Sequence, residues 1–137
     1  MRARVLVADD HRLFAEALAA LLGSDGRIDV VGSARNGAEA VDFARKLRPD
    51  VVLMDIGMPV MDGIEATSRI MSWLPEARVV VLTAHGSPEE VESALLAGAV
   101  GCVTKDDVGL GLLDETLALA GAEARDLAAS FVPVGLP

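Results

Sequence analysis

Four consecutive apolar residues, Val51-Val52-Leu53-Met54, run straight into Asp55, with Pro49-Asp50 before them and Gly57-Met58-Pro59 after. A run this short, bounded by turn formers, fits a strand buried on both faces of a parallel sheet. Such a strand delivers its last residue to the rim of the sheet, and open α/β sheets bind ligands outside the carboxyl ends of their strands. Asp55 is therefore the first candidate functional residue, and the rest of the chain can be read around it.

The same signature recurs on both sides. Arg4-Val5-Leu6-Val7-Ala8 reads as a first strand ending on two adjacent acids, Asp9 and Asp10. Leu13, Phe14, Ala17, Leu18, Leu21 and Leu22 then recur at helical spacing and stop at Gly23, a suitable cap. Residues 28–34 form a second strand candidate. Asn36 can cap the next helix, whose apolar face is Ala40, Val41, Ala44 and Leu47. After Asp55, Met61-Asp62-Gly63 starts a helix carrying Ile64, Ile70, Met71 and Leu74. Val79-Val80-Val81-Leu82 is a fourth strand leading to Thr83. Ser87 and Pro88 suit the N-cap and first position of a fourth helix, with Glu89 and Glu90 at the positive end of its dipole and Gly98 at its close. Gly101-Cys102-Val103-Thr104 is a fifth strand handing Lys105 to the rim.

The last helix is expected to begin between Gly109 and Leu112 and to run to about Ala129, so the domain spans residues 1–129 and residues 130–137 form a tail or the start of a linker. Leu110, Leu112, Leu113, Leu117, Leu119 and Leu127 occupy more than one stripe, more than docking on a sheet requires, which points to a protein interface.

Five strand–helix alternations with short loops predict a doubly wound, five-stranded parallel sheet with five helices and the flavodoxin-like order 2-1-3-4-5. In that order the first and third strands are neighbours. Asp9, Asp10 and Asp55 meet at the switch point, with Thr83 and Lys105 on the other side of Asp55.

Composition narrows the chemistry. The chain is 52% hydrophobic but only 3% aromatic, with no Tyr and one Trp, too few rings for an ordinary flavin site. A single cysteine, Cys102, excludes an internal disulfide, and no Cys/His cluster has zinc-ligand spacing. A formal net charge of −9 repels nucleic acid and anionic membrane, so direct DNA binding by this chain is not expected. No apolar run approaches the length of a membrane span and no signal-peptide core follows Met1, so a cytoplasmic location is expected.

Three carboxylates at one rim raise one another's pKa, and a hard divalent cation relieves the repulsion. Magnesium favours oxygen ligands and keeps room for waters and phosphate oxygens, which suits two or three Asp and a backbone carbonyl. Lys105 offers a point charge to an incoming anion, and Thr83 offers a hydroxyl donor. Together these residues suit a phosphoryl group carried on a carboxylate, since in-line transfer needs mainly positioning and charge neutralisation.

Four fragments, Val7-Ala8-Asp9-Asp10-His11, residues 52–63 around Asp55, Leu82-Thr83-Ala84-His85 and Gly101-Cys102-Val103-Thr104-Lys105-Asp106, stand in order on four strand ends. Together they resemble the receiver domain of two-component response regulators, over roughly residues 4–122, and Asp-Asp-His and Lys-Asp resemble the NarL/FixJ-type subfamily. The resemblance implies that Asp55 is the phosphoacceptor, that Asp9 and Asp10 bind Mg2+ together with Asp55 and the Gly57 carbonyl, and that Thr83 and Lys105 contact the phosphoryl group. It further implies a sensor histidine kinase as partner, a phosphorylation-linked homodimer, and no enzyme activity beyond self-phosphorylation and self-dephosphorylation. Members of that subfamily usually carry a helix-turn-helix DNA-binding domain after the receiver, which makes this chain a stand-alone receiver or the receiver part of a transcriptional regulator.

One departure stands out. Family members commonly carry Tyr or Phe three residues before the rim lysine, where this chain has Cys102. A switch here is expected to use the Thr83 to Ser87 loop and the surface between the fourth helix and fifth strand. Cys102 reads as a small buried hydrophobe rather than a redox sensor, and His11 and His85 read first as ordinary polar loop residues flanking the rim, with tuning of water access or a partner contact as the alternative. Three other classes fit less well. An aspartyl-phosphate phosphohydrolase usually has a second acid two residues after the nucleophile, where this chain has Gly57. A flavodoxin needs a phosphate loop that Asp9-Asp10 would repel. A phosphorylation-independent interaction module would not need the full set of Asp9, Asp10, Asp55, Thr83 and Lys105.

Overall fold

A computed structural model describes residues 2–121. Its elements alternate strictly: β1 (Ala3–Ala8), α1 (Arg12–Gly23), β2 (Ile28–Ala34), α2 (Gly37–Leu47), β3 (Val51–Asp55), α3 (Gly63–Trp73), β4 (Arg78–Thr83), α4 (Pro88–Leu96), β5 (Gly101–Thr104), a 3-10 turn (Lys105–Asp107) and α5 (Leu110–Gly121). All neighbouring strands run parallel in the order β2-β1-β3-β4-β5. The flavodoxin-like topology expected from the sequence is the one observed.

Side-chain alternation along the strands builds two cores. Leu6, Val52, Met54, Val79 and Val81 face α2, α3 and α4, whereas Val5, Val7, Val51, Leu53, Val80 and Leu82 face α1 and α5. Both faces of β1, β3 and β4 are therefore dry, which is why these strands read as unbroken apolar runs. Each fully buried Val or Leu contributes about 1.5–3 kcal/mol.

The helix starts follow the capping chemistry. Asn36 Oδ1 accepts the Glu39 N–H and Asp62 Oδ1 accepts the Glu65 N–H, each at 2.8 Å, and Ser87 and Glu90 form a reciprocal capping box at the head of α4. At the close of α4, Gly98 takes φ +109° just past the helix, as expected for a glycine stop. Gly23 differs from expectation: it is the last residue of α1, and Ser24 in the right-handed region is the cap.

Two features of α1 and α5 depart from the periodicity. Leu13 is 82% exposed and Ala17 is exposed, while Ala15 turns inward with Leu18 and Leu22. The buried stripe lies between the two rows of apolar residues, so spacing alone picked a face rotated from the real one. In α5, Leu112 and Leu119 are buried and Leu117 packs beside them against the sheet, so these leucines are spent on the core. The side chains of Leu110 and Leu113, and all of residues 122–137 with Leu127, the expected helix end near Ala129 and the tail, lie outside the described residues.

Two glycines press the loops together beneath the rim. A Cβ on Gly63 would stand 2.0 Å from the carbonyl oxygen of Asp55, and one on Gly37 would stand 2.2 Å from that of Met61. Only glycine lets α3 start against the end of β3, and lets α2 start against the β3–α3 loop. Within that loop the Met61 N–H donates to the Pro59 carbonyl at 2.7 Å across Val60, whose φ is +70°. A three-residue turn of this hand is uncommon and strained, and most so for a β-branched residue.

Candidate functional site

The strand register sets the site. Ala8 pairs with Met54, so Asp9 emerges beside Asp55, and Asp9 stays in line because its N–H donates to the Ala34 carbonyl at 3.0 Å. Asp55 pairs with Leu82, so Thr83 follows one step further along, beside Thr104. Lys105 opens the 3-10 turn after β5 and reaches back across the rim. Asp9 and Asp55 are buried, whereas Asp10 and His11 are exposed at the mouth. A cleft of about 360 Å³ lined by Asp9, Asp10, Arg12 and Arg35 opens beside them.

Lys105 Nζ lies 2.8 Å from Asp9 Oδ2 and 3.3 Å from Asp55 Oδ1, with the Phe14 ring centroid 4.6 Å away. One ammonium thus bridges two buried carboxylates while it lies over an aromatic face. The Asp9 Oδ1 oxygen accepts the His11 N–H at 2.8 Å, which orders the entry to α1. His11 Nδ1 lies 3.2 Å from Asp9 Oδ1, 3.5 Å from Asp10 Oδ1, 3.9 Å from Asp55 Oδ2 and 3.2 Å from Lys105 Nζ. It can donate to a carboxylate or accept from the lysine, one at a time. Sequence reading placed His11 only near the rim, and its approach to all three acids is a consequence of the short β1–α1 loop.

Asp55 Oδ2 is buried without a hydrogen-bond partner among the described residues. Burial, and then the charge of Asp9, push the Asp55 carboxyl up to about 6, against the opposing pull of Lys105. A buried carboxylate oxygen with open lone pairs beside two further acids is what a cation site requires. Asp9, Asp10, His11 and Asp55 each offer one ligand atom within 4.8 Å of the others. The three carboxylates fit a hard divalent ion such as Mg2+. Gly57 lies in the exposed bend after β3, and no hydrogen bond among the described residues takes its carbonyl.

The β4 side is arranged differently. Thr83 Oγ1 donates to Glu90 Oε1 at 2.8 Å, so its hydroxyl is turned to α4. Expectation had this hydroxyl serving an anion at Asp55. Glu90 itself is the residue that sequence reading missed: the sequence places it only at the positive end of the helix dipole, and its second partner on β4 is a matter of rotamer, which periodicity does not encode. Cys102, paired with Val81 in the middle of β5, is fully buried. Burial, with a lesser push from the charge of Glu90, raises its thiol to about 11, so it is a core residue rather than a reactive one.

Compared with known proteins, residues 5–114 match the family model described as the response regulator receiver domain. The transcriptional regulatory protein LnrK of Bacillus subtilis is 43% identical over 103 residues, covering 75% of this chain and 47% of LnrK. The solved signal receiver domain of the response regulator NarL from Mycobacterium tuberculosis superposes with a TM-score of 0.84 at 36% identity, covering 89% of this chain and 98% of that one. A response regulator protein from Burkholderia pseudomallei, solved with a phosphorylated aspartic acid, a calcium ion and citrate, has a TM-score of 0.74 at 25% identity, covering 93% of this chain and 71% of that one. The chain spans about half the length of the curated relatives it matches. Sequence, topology and rim geometry agree with these matches, and the chain belongs to the response regulator receiver domain family.

Proposed function

We propose that this chain is a phosphorylation switch in which Asp55 accepts a phosphoryl group from a sensor histidine kinase. The observation that carries the reading is the Asp55 carboxylate itself, buried at the strand end with Lys105 Nζ 3.3 Å from one oxygen and the other oxygen without a hydrogen-bond partner among the described residues. One Asp55 oxygen attacks phosphorus, the P–N or P–O bond to the donor breaks, and its electron pair leaves with the donor, which takes up a proton. Hydrolysis reverses the linkage: water adds to phosphorus, the Asp55 carboxylate departs and inorganic phosphate is released.

Asp9 and Asp10, with the Gly57 carbonyl, would hold Mg2+, which when bound supplies charge neutralisation for the transferred phosphoryl oxygens. Lys105 orients the phosphoryl group and compensates its charge, and Thr83 supplies a hydroxyl donor once free of Glu90. The Burkholderia neighbour, solved with a phosphorylated aspartic acid and a calcium ion, supports aspartyl phosphorylation in this fold. LnrK, a transcriptional regulatory protein, supports transcriptional regulation as the output. On this reading the chain works in the cytoplasm, with a phosphorylation-linked change in self-association and with DNA contact left to another domain. Catalysis by the chain is confined to its own phosphorylation and dephosphorylation.

Incubation with acetyl phosphate and Mg2+, followed by intact-mass analysis of wild type and Asp55→Asn, tests the reading. A single phosphoryl adduct that needs Mg2+ and is absent from the variant is the expected result. A folded, metal-loaded wild type that gains no adduct would instead mark a phosphorylation-independent interaction module.

A further inference from the structure

The Thr83 hydroxyl has one proton to give, and it is directed at Glu90 Oε1 2.8 Å away. The backbone N–H groups of His85 and Gly86 approach Thr83 Oγ1 from the loop at 3.3 and 3.4 Å, so the lone pairs of the hydroxyl face the loop and its donor faces the helix. Glu90 Oε1 also accepts the Ser87 N–H at 3.4 Å, while Ser87 Oγ accepts the Glu90 N–H at 3.3 Å. One carboxylate oxygen therefore ties the end of β4 to the first turn of α4. On β5, position 102 holds a small, fully buried cysteine side chain.

We propose that Glu90 is a positioning residue of the switch: it holds the Thr83 hydroxyl on α4 while Asp55 is unmodified, and a phosphoryl group on Asp55 takes that hydrogen bond away from it. The inference rests on the reading of Asp55 as phosphoacceptor. Its logic is one donor between two acceptors. Thr83 cannot serve the Glu90 carboxylate and a phosphoryl oxygen at once, so phosphorylation that engages Thr83 breaks the 2.8 Å bond. Glu90 then keeps only the longer contact to Ser87 N–H, and the first turn of α4 loses its side-chain tie to β4. A differential contact of this kind is what couples a modification to a surface. The coupling needs no large side chain at position 102.

The test compares Glu90→Ala, Glu90→Gln and Ser87→Ala, each with Thr83 intact and in a Thr83→Val background. The rate of the Asp55 adduct with acetyl phosphate and Mg2+ is read by intact mass, and the Ser87 and Glu90 amide signals by NMR. Glu90→Ala should speed phosphorylation roughly 2- to 10-fold, the shift one net hydrogen bond supports. Glu90→Gln, which keeps an acceptor and the cap, should stay near wild type. Ser87→Ala should lower the melting temperature without changing the rate. In the Thr83→Val background the effect of Glu90→Ala should vanish. In wild-type protein the Ser87 and Glu90 amides should shift on phosphorylation, and with Thr83→Val they should not, a readout that holds even if Glu90→Ala folds poorly. An adduct on wild type with no coupling between positions 83 and 90 overturns the inference alone. No adduct on wild type overturns it together with the proposed function.

Discussion

The two sides of Asp55 are built on different terms. Towards β1, strand register sets buried Asp9 beside it, and the ammonium of Lys105 lies 2.8 Å from Asp9 Oδ2 and 3.3 Å from Asp55 Oδ1. Towards β4, Thr83 stands at the equivalent strand end, yet its hydroxyl is bonded to Glu90 on α4. The first side is preorganised, because backbone pairing fixes where the charges sit. The second side is set by a side-chain choice between two acceptors, and so can change without altering the sheet. A receiver needs both: a charged pocket that is always ready, and one contact that differs between states.

Several substitutions probe that contrast, beginning with the strongest. Lys105→Ala should slow phosphorylation about 100-fold or more, since it removes a preorganised charge from the reacting oxygens; a rate within threefold of wild type in the acetyl phosphate assay would show that the charged side is not essential. Gly63→Ala should cost about 3 kcal/mol in urea unfolding, because its Cβ meets the Asp55 backbone oxygen at 2.0 Å and neither backbone segment can yield cheaply. Asp55→Asn should stabilise the metal-free protein by about 2 kcal/mol at pH 8. The sign comes from the raised carboxyl. With a folded value of about 6 against 3.8, the folded state holds the proton longer, so the penalty of ionising Asp55 is absent below 3.8, grows through that interval and is complete above it. The gain from Asn should therefore shrink towards zero as the pH is lowered to 4, and an equal gain at both ends would rule out ionisation as its cause. Smallest is Val60→Gly, expected to add about 0.5–1 kcal/mol, since relief of about 1–3 kcal/mol of backbone strain outweighs the entropy glycine adds to the unfolded chain. A loss of stability there would mean that the exposed loop carries no strain.

The same contrast governs what the amino-acid sequence discloses. Asp9, Asp55 and Lys105 were legible because each directly follows or ends an apolar run, and a strand's exit point is encoded by where the run stops. Topology was legible for the same reason: beyond Arg4 and Arg78 near their starts, β1, β3 and β4 are buried on both faces and apolar up to their rim residues. The Thr83–Glu90 bond was not, because Ser87, Pro88 and Glu90 are fully explained by helix capping and a second use leaves no trace in spacing. The face of α1 was misjudged because apolar residues flank its true stripe on both sides, leaving Leu13 outside and Ala15 inside. The strained turn at Val60 was invisible too, since nothing about Pro59-Val60-Met61 demands a left-handed conformation; the loop takes it while Gly37 and Gly63 hold both of its ends against α2 and β3.

The residue that receives the phosphoryl group decides whether Asp55 is the acceptor. Borohydride reduction of the acetyl phosphate-treated protein converts an aspartyl phosphate to homoserine, which peptide mass mapping locates by residue. Homoserine at position 55 alone, formed only with Mg2+ present, is the predicted result. Reduction at Asp9 or Asp10, or an adduct that forms equally well without the metal, would contradict it.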